Sequence, residues 1–207
     1  MGLTTGNHPS YVAGPVAQEV GYFQADHRGL ANWCYAGLGA AFEIVSPDWS
    51  SVDDVMTALM PTAPLSRYAF VDLAGWTLML NNGPNGTDVG VMPSLAARQL
   101  RCRAIRAVCV PDEGPGYPAR ILEVYGPDTE SPLALERSVV AADDGGRWIF
   151  ETAGRPYDFE DGDSRQRRHK RDRFTCEMLH RYLRALGVPA TAVPDWTTAV
   201  LIELLPT

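Results

Sequence analysis

The chain has 207 residues, of which 45% are apolar and 21% are charged, a composition typical of a soluble globular domain that folds without a metal or a disulfide. No apolar run approaches the roughly 18 to 20 residues that cross a bilayer, and no basic residue precedes Arg28, so we expect no secretory signal and a cytoplasmic protein. The formal net charge of −7 disfavours nucleic acid and favours a cationic partner.

The first quarter of the chain predicts an irregular arm followed by two helices. Residues 1–23 are rich in Gly, Pro and Thr and show no period, so we expect an irregular N-terminal arm followed by a single α+β domain over residues 24–207. The Ala- and Gly-rich apolar run 31–45 predicts a buried helix. Apolar residues at helical spacing over 52–60, after two serines that are each followed three residues later by Asp, predict a short amphipathic helix.

The middle of the chain predicts strands. Runs 70–73 and 76–80 are rich in aromatic and apolar residues and end in the turn formers of residues 81–86. A brief helix is predicted over residues 94–101. Further strands are predicted over residues 103–110, 119–125, 135–142, 147–152 and 199–205. Because short loops join consecutive strands, an antiparallel arrangement is expected.

The C-terminal region holds the strongest helix pattern. Apolar residues recur at helical spacing over 174–186, with Asp172 as a candidate cap and Gly187 at the end. Trp148 and Phe150 lie two apart on a predicted strand and therefore share the sheet face that this helix covers. The sequence thus predicts an α+β fold: a mostly antiparallel sheet of five to seven strands, two N-terminal helices and one long C-terminal helix packed on the sheet.

The cysteines and histidines predict no metal site and no cofactor. The four cysteines lack a C-x-x-C pair and zinc-ligand spacing, and we expect reduced, mostly buried thiols at Cys34, Cys102, Cys109 and Cys176. Glu177 and His180 have the E-x-x-H spacing of metal-binding helical bundles, but no second such pair exists in the sequence. We interpret these two residues as part of a solvated helix face.

The segment around Cys34 suggests one catalytic alternative. Asn32-Trp33-Cys34-Tyr35-Ala36, with Gln24 upstream and an apolar helix downstream, resembles the nucleophile segment of papain-like cysteine hydrolases. The resemblance implies that Cys34 attacks an acyl carbon, that Gln24 steadies the oxyanion and that a histidine takes the proton, with His27 nearest in sequence. A cysteine-dependent hydrolase or acyl transferase is therefore the alternative to a packed structural cysteine.

Two further segments bear on binding. The turn-rich stretch 81–88 offers Asn81, Asn82, Asn85 and Asp88 to a small-molecule ligand, although turn chemistry alone explains it. Trp196 is a candidate aromatic anchor for a protein partner. The basic run Arg165–Arg173 contains no aromatic residue on which a base would stack and follows an acidic stretch, so we interpret it as a solvated loop that partly neutralises itself.

The last third of the chain has a recognisable sequence pattern. It reads Asp143-Asp144-Gly145-Gly146-Arg147-Trp148, then Gly154-Arg155-Pro156 and Phe159-Glu160, then Arg171-Asp172-Arg173-Phe174-Thr175. This pattern is similar to that of the strand, hairpin and closing helix of small bacterial proteins, several of them immunity proteins that neutralise toxins of neighbouring cells. The resemblance implies a binding scaffold. The leading prediction is a non-catalytic cytoplasmic protein that docks a basic protein partner through an acidic surface.

Overall fold

The computed structural model describes residues 19–60, 66–82, 89–110, 112, 117–189 and 191–205. In chain order the elements are β1 (Glu19–Phe23), α1 (His27–Leu38), β2 (Phe42–Val45), α2 (Val52–Ala58), β3 (Arg67–Leu73), β4 (Trp76–Asn81), α3 (Val91–Gln99), β5 (Ala104–Val110), β6 (Ala119–Tyr125), β7 (Leu135–Asp144), β8 (Arg147–Gly154), α4 (Cys176–Ala185) and β9 (Asp195–Leu204). The strands form one antiparallel sheet in the order β2-β9-β3-β4-β1-β5-β6-β7-β8. Within the described ranges, no helix has the length and apolar character needed to span a membrane.

Helices cover both faces of the sheet. On one side, which we call the α4 face, the apolar faces of α2 and α4 pack on alternate strand residues such as Val20 and Tyr22. On the other side, the α1 face, α1 and α3 pack on the intervening residues, of which Phe23 is one. Because strand side chains alternate between faces, the central strands are buried on both sides.

The α+β class and the antiparallel sheet are confirmed, but the strand number is not. The described residues form nine strands instead of five to seven. Residues 19–23 fall in the predicted irregular arm but form β1, a buried central strand paired with β4 and β5. The predicted helix 31–45 is wrong beyond Leu38, because Gly39 ends α1 with a φ of 87° and residues 42–45 form β2. Residues 1–18 lie outside the described part of the chain.

The C-terminal helix is also shorter than predicted. It spans ten residues, Cys176–Ala185, fewer than the twelve of α1. Its cap is Thr175, whose side chain accepts a hydrogen bond from the Met178 N–H, and Asp172 lies in a preceding 3₁₀ helix. Trp148 and Phe150 pack against the core of the α4 face, as their spacing predicts. The packed helix is confirmed, and its predicted start and length are corrected.

An internal ion pair holds the loop after β8. The Arg137 guanidinium is 1% exposed and donates to both carboxylate oxygens of Glu160, from Nε at 2.8 Å and from Nη2 at 2.7 Å. It also donates to the Ala153 carbonyl. Although burial opposes ionisation, the bonds from Arg137, the Tyr157 N–H and Arg165 lower the pKa of Glu160. Glu160, which belongs to the sequence pattern of residues 143–175, therefore anchors this loop.

Two of the four cysteines are joined. Cys109 of β5 and Cys176 of α4 form a disulfide with a Cα–Cα distance of 5.7 Å, whereas Cys34 and Cys102 are free and buried. The prediction of four reduced thiols is therefore wrong for this pair. The two residues are 67 positions apart in sequence and meet because α4 packs across the face of β5 that carries Cys109. The disulfide fixes α4 to the sheet.

Candidate functional site

A surface groove runs between α1 and α3 on the α1 face. It encloses about 410 Å³, within the range of small-ligand sites. Its lining is apolar except near one end and comprises Trp33, Cys34, Ala36, Gly37 and Leu38 of α1 with Met92, Leu95 and Gln99 of α3. Met92, Leu95 and Gln99 repeat at three- and four-residue spacing, so helical periodicity places one stripe of α3 along the groove.

Small residues keep the groove open. Ala36 and Gly37 occupy the exposed side of the last turns of α1, and a methyl group added at Gly37 would meet no atom within 4 Å. At one end, Trp33 Nε1 donates a hydrogen bond of 2.8 Å to Gln99 Oε1 and thereby links the two helices. This pair fixes one polar position in the apolar lining. The groove thus offers shape and apolar contact rather than charge.

An apolar patch continues from the groove over the outer side of α3. Val91 is 69% exposed, and Leu95 and Leu100 are also exposed. Leu133, 63% exposed, lies beside α3, because its carbonyl accepts a 2.6 Å hydrogen bond from Ser94 Oγ. We call Val91, Leu95, Leu100 and Leu133 the α3 patch. Exposed apolar side chains next to a groove are typical of interaction sites.

Cys34 lies in the groove wall but is not activated. Its residue is only 3% exposed, and burial raises the pKa of the thiol to about 12. His27, also buried, directs Nε2 to the Thr198 carbonyl at 2.9 Å, and the Gln24 N–H donates to the Arg103 carbonyl. Among the contacts of the described residues, none joins Cys34 to either of them. At neutral pH this thiol is protonated.

The residues predicted to bind a ligand are distributed differently. Asn81 and Asn82 are buried, and Asn82 Oδ1 accepts hydrogen bonds from the backbone N–H groups at residues 66 and 67. Trp196 is buried in the core of the α4 face. Asn85 and Asp88 lie outside the described residues. The three predicted residues that are described therefore pack in the interior, away from the groove.

A second hollow, lined mostly by polar residues, lies where β7 begins and β8 ends. It encloses about 310 Å³ between Glu136, Arg155, Pro156, Tyr157 and Asp158. The Tyr157 hydroxyl donates to Glu136 at 3.0 Å, and burial together with this carboxylate raises the pKa of Tyr157 to about 12. The sequence analysis did not predict this hollow. The signal available was Gly154, which must be glycine because a Cβ there would lie 1.9 Å from the Glu136 carbonyl oxygen.

The basic run makes contacts within the chain. Arg165 pairs with Glu160, and Arg167 lies 3.6 Å from Asp161. Arg173 donates to the Arg167 carbonyl. Arg165 and Arg167 thus pair with the preceding acidic stretch, as a partly self-neutralising loop requires. The described parts of the chain contain no cluster of three side chains able to hold a metal ion.

Comparison with known proteins yields no match: no family model fits the chain, and no curated protein or solved structure is significantly similar to it.

Proposed function

We propose that this protein is a non-catalytic binding protein of the toxin-neutralising kind, which docks a protein partner on the α1–α3 groove and the α3 patch. The observation that carries the proposal is the exposure of Val91, Leu95 and Leu133 around an open apolar groove. Apolar side chains that insert into such a groove supply most of the affinity of a protein interface. The resemblance of the sequence pattern of residues 143–175 to that of immunity proteins supports the same class of function.

The net charge supports a basic partner. The chain carries 25 acidic and 18 basic side chains, which gives −7, and part of the basic run is engaged by its own acids. An acidic exterior accelerates the encounter with a basic protein through long-range attraction. We therefore assign affinity to the apolar groove and the rate of association to the overall charge.

The environment of Cys34 argues against the hydrolase alternative. A nucleophilic cysteine needs a lowered pKa and a base within hydrogen-bond reach. Burial shifts the pKa of Cys34 in the opposite direction, and His27 is turned to a carbonyl. Binding without bond breaking is the function that this geometry supports better.

Binding of a small molecule is the second candidate, and the volume of the groove favours it. About 410 Å³ accommodates a small, largely apolar molecule, with the Trp33–Gln99 pair as its polar contact. The α3 patch distinguishes the two candidates, since a small ligand held inside the groove leaves Val91 and Leu133 uncovered. A protein partner covers them.

The cytoplasmic location belongs to the proposal as well. The disulfide between Cys109 and Cys176 bears against it, because glutathione keeps most cytoplasmic thiols reduced. Mass spectrometry after rapid alkylation of cells that produce the protein decides the matter. A cytoplasmic protein is expected to carry alkyl groups on both cysteines, whereas a bonded pair would argue for an oxidising compartment.

The test measures binding to the product of the neighbouring open reading frame. Calorimetry on the purified proteins is expected to give a complex, which Leu95→Arg weakens at least about tenfold by placing a charge in the apolar contact. Val193→Arg is the matched control, since Val193 is 81% exposed and lies between α4 and β9. Equal effects of the two substitutions, or no binding and no protection in a co-expression growth assay, would refute the proposal.

A further inference from the structure

The two edges of the sheet differ in length. The edge strand β2 has four residues, and short edge strands resist pairing with another chain. The opposite edge strand, β8, has eight residues and, in the part of the chain that the structure describes, pairs with β7 alone. Among the described residues, no other backbone segment forms a hydrogen bond with Arg147–Thr152. Although the 3₁₀ helix Lys170–Arg173 packs against β8, the outer backbone groups of this long edge have no backbone partner among the described residues.

The turn before β8 determines which backbone groups are open. Gly145 and Gly146 have φ values of 63° and 90°, which define a two-residue type I′ turn closed by a hydrogen-bonded pair, Asp144 and Arg147. Hydrogen-bonded pairs alternate along an antiparallel ladder. The N–H and C=O groups of Trp148, Phe150 and Thr152 consequently point away from β7.

Packing on the α4 face holds this edge in place. The Arg120 guanidinium lies 4.9 Å from the Trp148 ring centroid, and the Arg173 guanidinium lies 5.6 Å from that of Phe150. Both rings also pack against the core. A strand that is already ordered loses little conformational entropy when another strand joins it. The exposed residues Arg147 and Glu151 lie on the opposite face.

The sequence of β8 is complementary to itself. In an antiparallel pair of two β8 strands, the outward-pointing groups of one copy must face those of the other. This condition is met in the register centred on Ile149, in which Ile149 of one copy lies opposite Ile149 of the other. Arg147 of each copy then lies opposite Glu151 of the other copy, which gives two pairs of opposite charge. The next permitted register, centred on Phe150, sets Arg147 opposite Ala153, and one centred on Glu151 sets the two glutamates against each other. Opposite charges across a pair stabilise it, and like charges destabilise it.

We propose that two copies of this chain associate through β8, in the antiparallel register centred on Ile149, and so form a continuous sheet. Trp148 then lies opposite Phe150 of the second copy, an aromatic pair that is favourable on adjacent strands. The interface lies on β8, whereas the α1–α3 groove lies between helices of the α1 face, so the proposal is independent of the proposed function.

Charge exchange tests the register. Sedimentation equilibrium on the full chain, from about 1 to 200 μM, is expected to show a monomer–dimer equilibrium. Glu151→Arg or Arg147→Glu alone sets like charges opposite each other at both ends and is expected to weaken the dimer at least about tenfold. The double variant restores both pairs and is expected to lie within about threefold of the original. Both side chains are exposed, so circular dichroism is expected to show unchanged folding.

Amide hydrogen exchange tests the edge itself. The amides of Trp148 and Phe150 are expected to exchange more slowly as concentration rises, whereas those of Ile149 and Glu151, bonded to β7, are expected to stay protected throughout. A monomer at every concentration, single variants without effect or a double variant that is not restored would each overturn the proposal. So would edge protection that requires a different protein, because it would assign β8 to a foreign strand.

Discussion

Replacing Arg137 by Met is expected to cost more stability than the loss of any exposed charge in this protein. The Arg137 side chain is 1% exposed, and that of its partner Glu160 is 4% exposed. Met fills a similar volume but leaves the carboxylate with only Arg165 and one backbone N–H as donors. The Ala153 carbonyl loses a donor as well.

The magnitude follows from the burial of both partners. Removing one member of a buried ion pair costs about 3 to 5 kcal/mol, because the remaining charge keeps its desolvation penalty. Arg165 still neutralises part of the charge on Glu160, so we expect the lower end, about 3 kcal/mol. For a chain of this size, that loss lowers Tm by about 6 to 12 °C.

The assay is urea unfolding followed by circular dichroism, with Arg165→Met as the matched control. Arg165 binds the same carboxylate but is 32% exposed, so its loss is expected to cost less than about 1 kcal/mol. Equal costs for the two variants, or a cost below about 1 kcal/mol for Arg137→Met, would refute the assignment of Glu160 as the anchor of the loop.

The pH dependence provides a second readout of the same pair. The pKa of Glu160 is lowered in the folded protein, so its contribution is complete above the unfolded pKa of about 4.3 and is lost as the pH falls through the folded value. The stability difference between the original protein and Arg137→Met is therefore expected to be largest at neutral pH. It is expected to shrink below about pH 4.

Three further predictions concern the cysteines and one glycine. Cys34 is expected to react with iodoacetamide at pH 7 far more slowly than a free thiol, because burial raises its pKa to about 12; fast labelling would favour the hydrolase. Reduction of the disulfide across 67 residues, Cys109 to Cys176, is expected to lower the unfolding free energy by about 4 kcal/mol, and an unchanged urea midpoint would contradict this. Gly154→Ala is expected to cost more than about 2 kcal/mol in thermal unfolding, whereas Gly162→Ala, which meets no atom, is expected to be neutral; similar Tm values would contradict the steric argument.

Periodicity predicted the elements that have one buried face. α4 was recognised because apolar residues recur along one side. The cap was misplaced, since Asp172 and Thr175 both precede the helix at plausible positions; Asp172 lies in a 3₁₀ helix, and Thr175 accepts the hydrogen bond from the first turn of α4. Local patterns therefore gave the type of these elements, and packing set their ends.

The central strand β1 could not be predicted from the same rules. It is buried on both faces, so no polar residue alternates with the apolar ones except Glu19, and Gly21 suggests a turn. The structure explains this glycine differently: a Cβ at Gly21 would lie 2.7 Å from Phe23 Cε2. The glycine admits the ring of Phe23. Such a requirement arises from packing and leaves no periodic signal in the sequence.

The segment around Cys34 indicates one wall of the groove in the sequence, but no sequence pattern indicates the wall on α3. Its residues are ordinary helix residues, and only the tertiary placement of α1 beside α3 joins Trp33 to Gln99 across a groove. Asn81 and Asn82 were predicted as site residues because they lie in a run of turn-forming residues. In the structure both are buried, and the Asn82 side chain binds a backbone N–H in the interior. Sequence patterns identify local structure, whereas a groove is a property of two distant segments.

The two faces of the sheet differ in how their covering helices pack, and this difference supports placing the proposed binding function on the α1 face. The α4 face is closed by large side chains and by a disulfide. On the α1 face, Gly37 lies within a helix, where glycine costs about 0.5 to 1 kcal/mol relative to alanine, although no neighbouring atom excludes a methyl group there. Stability does not explain this glycine. An open groove does, because a larger side chain at this position would occupy space that a partner's side chain needs.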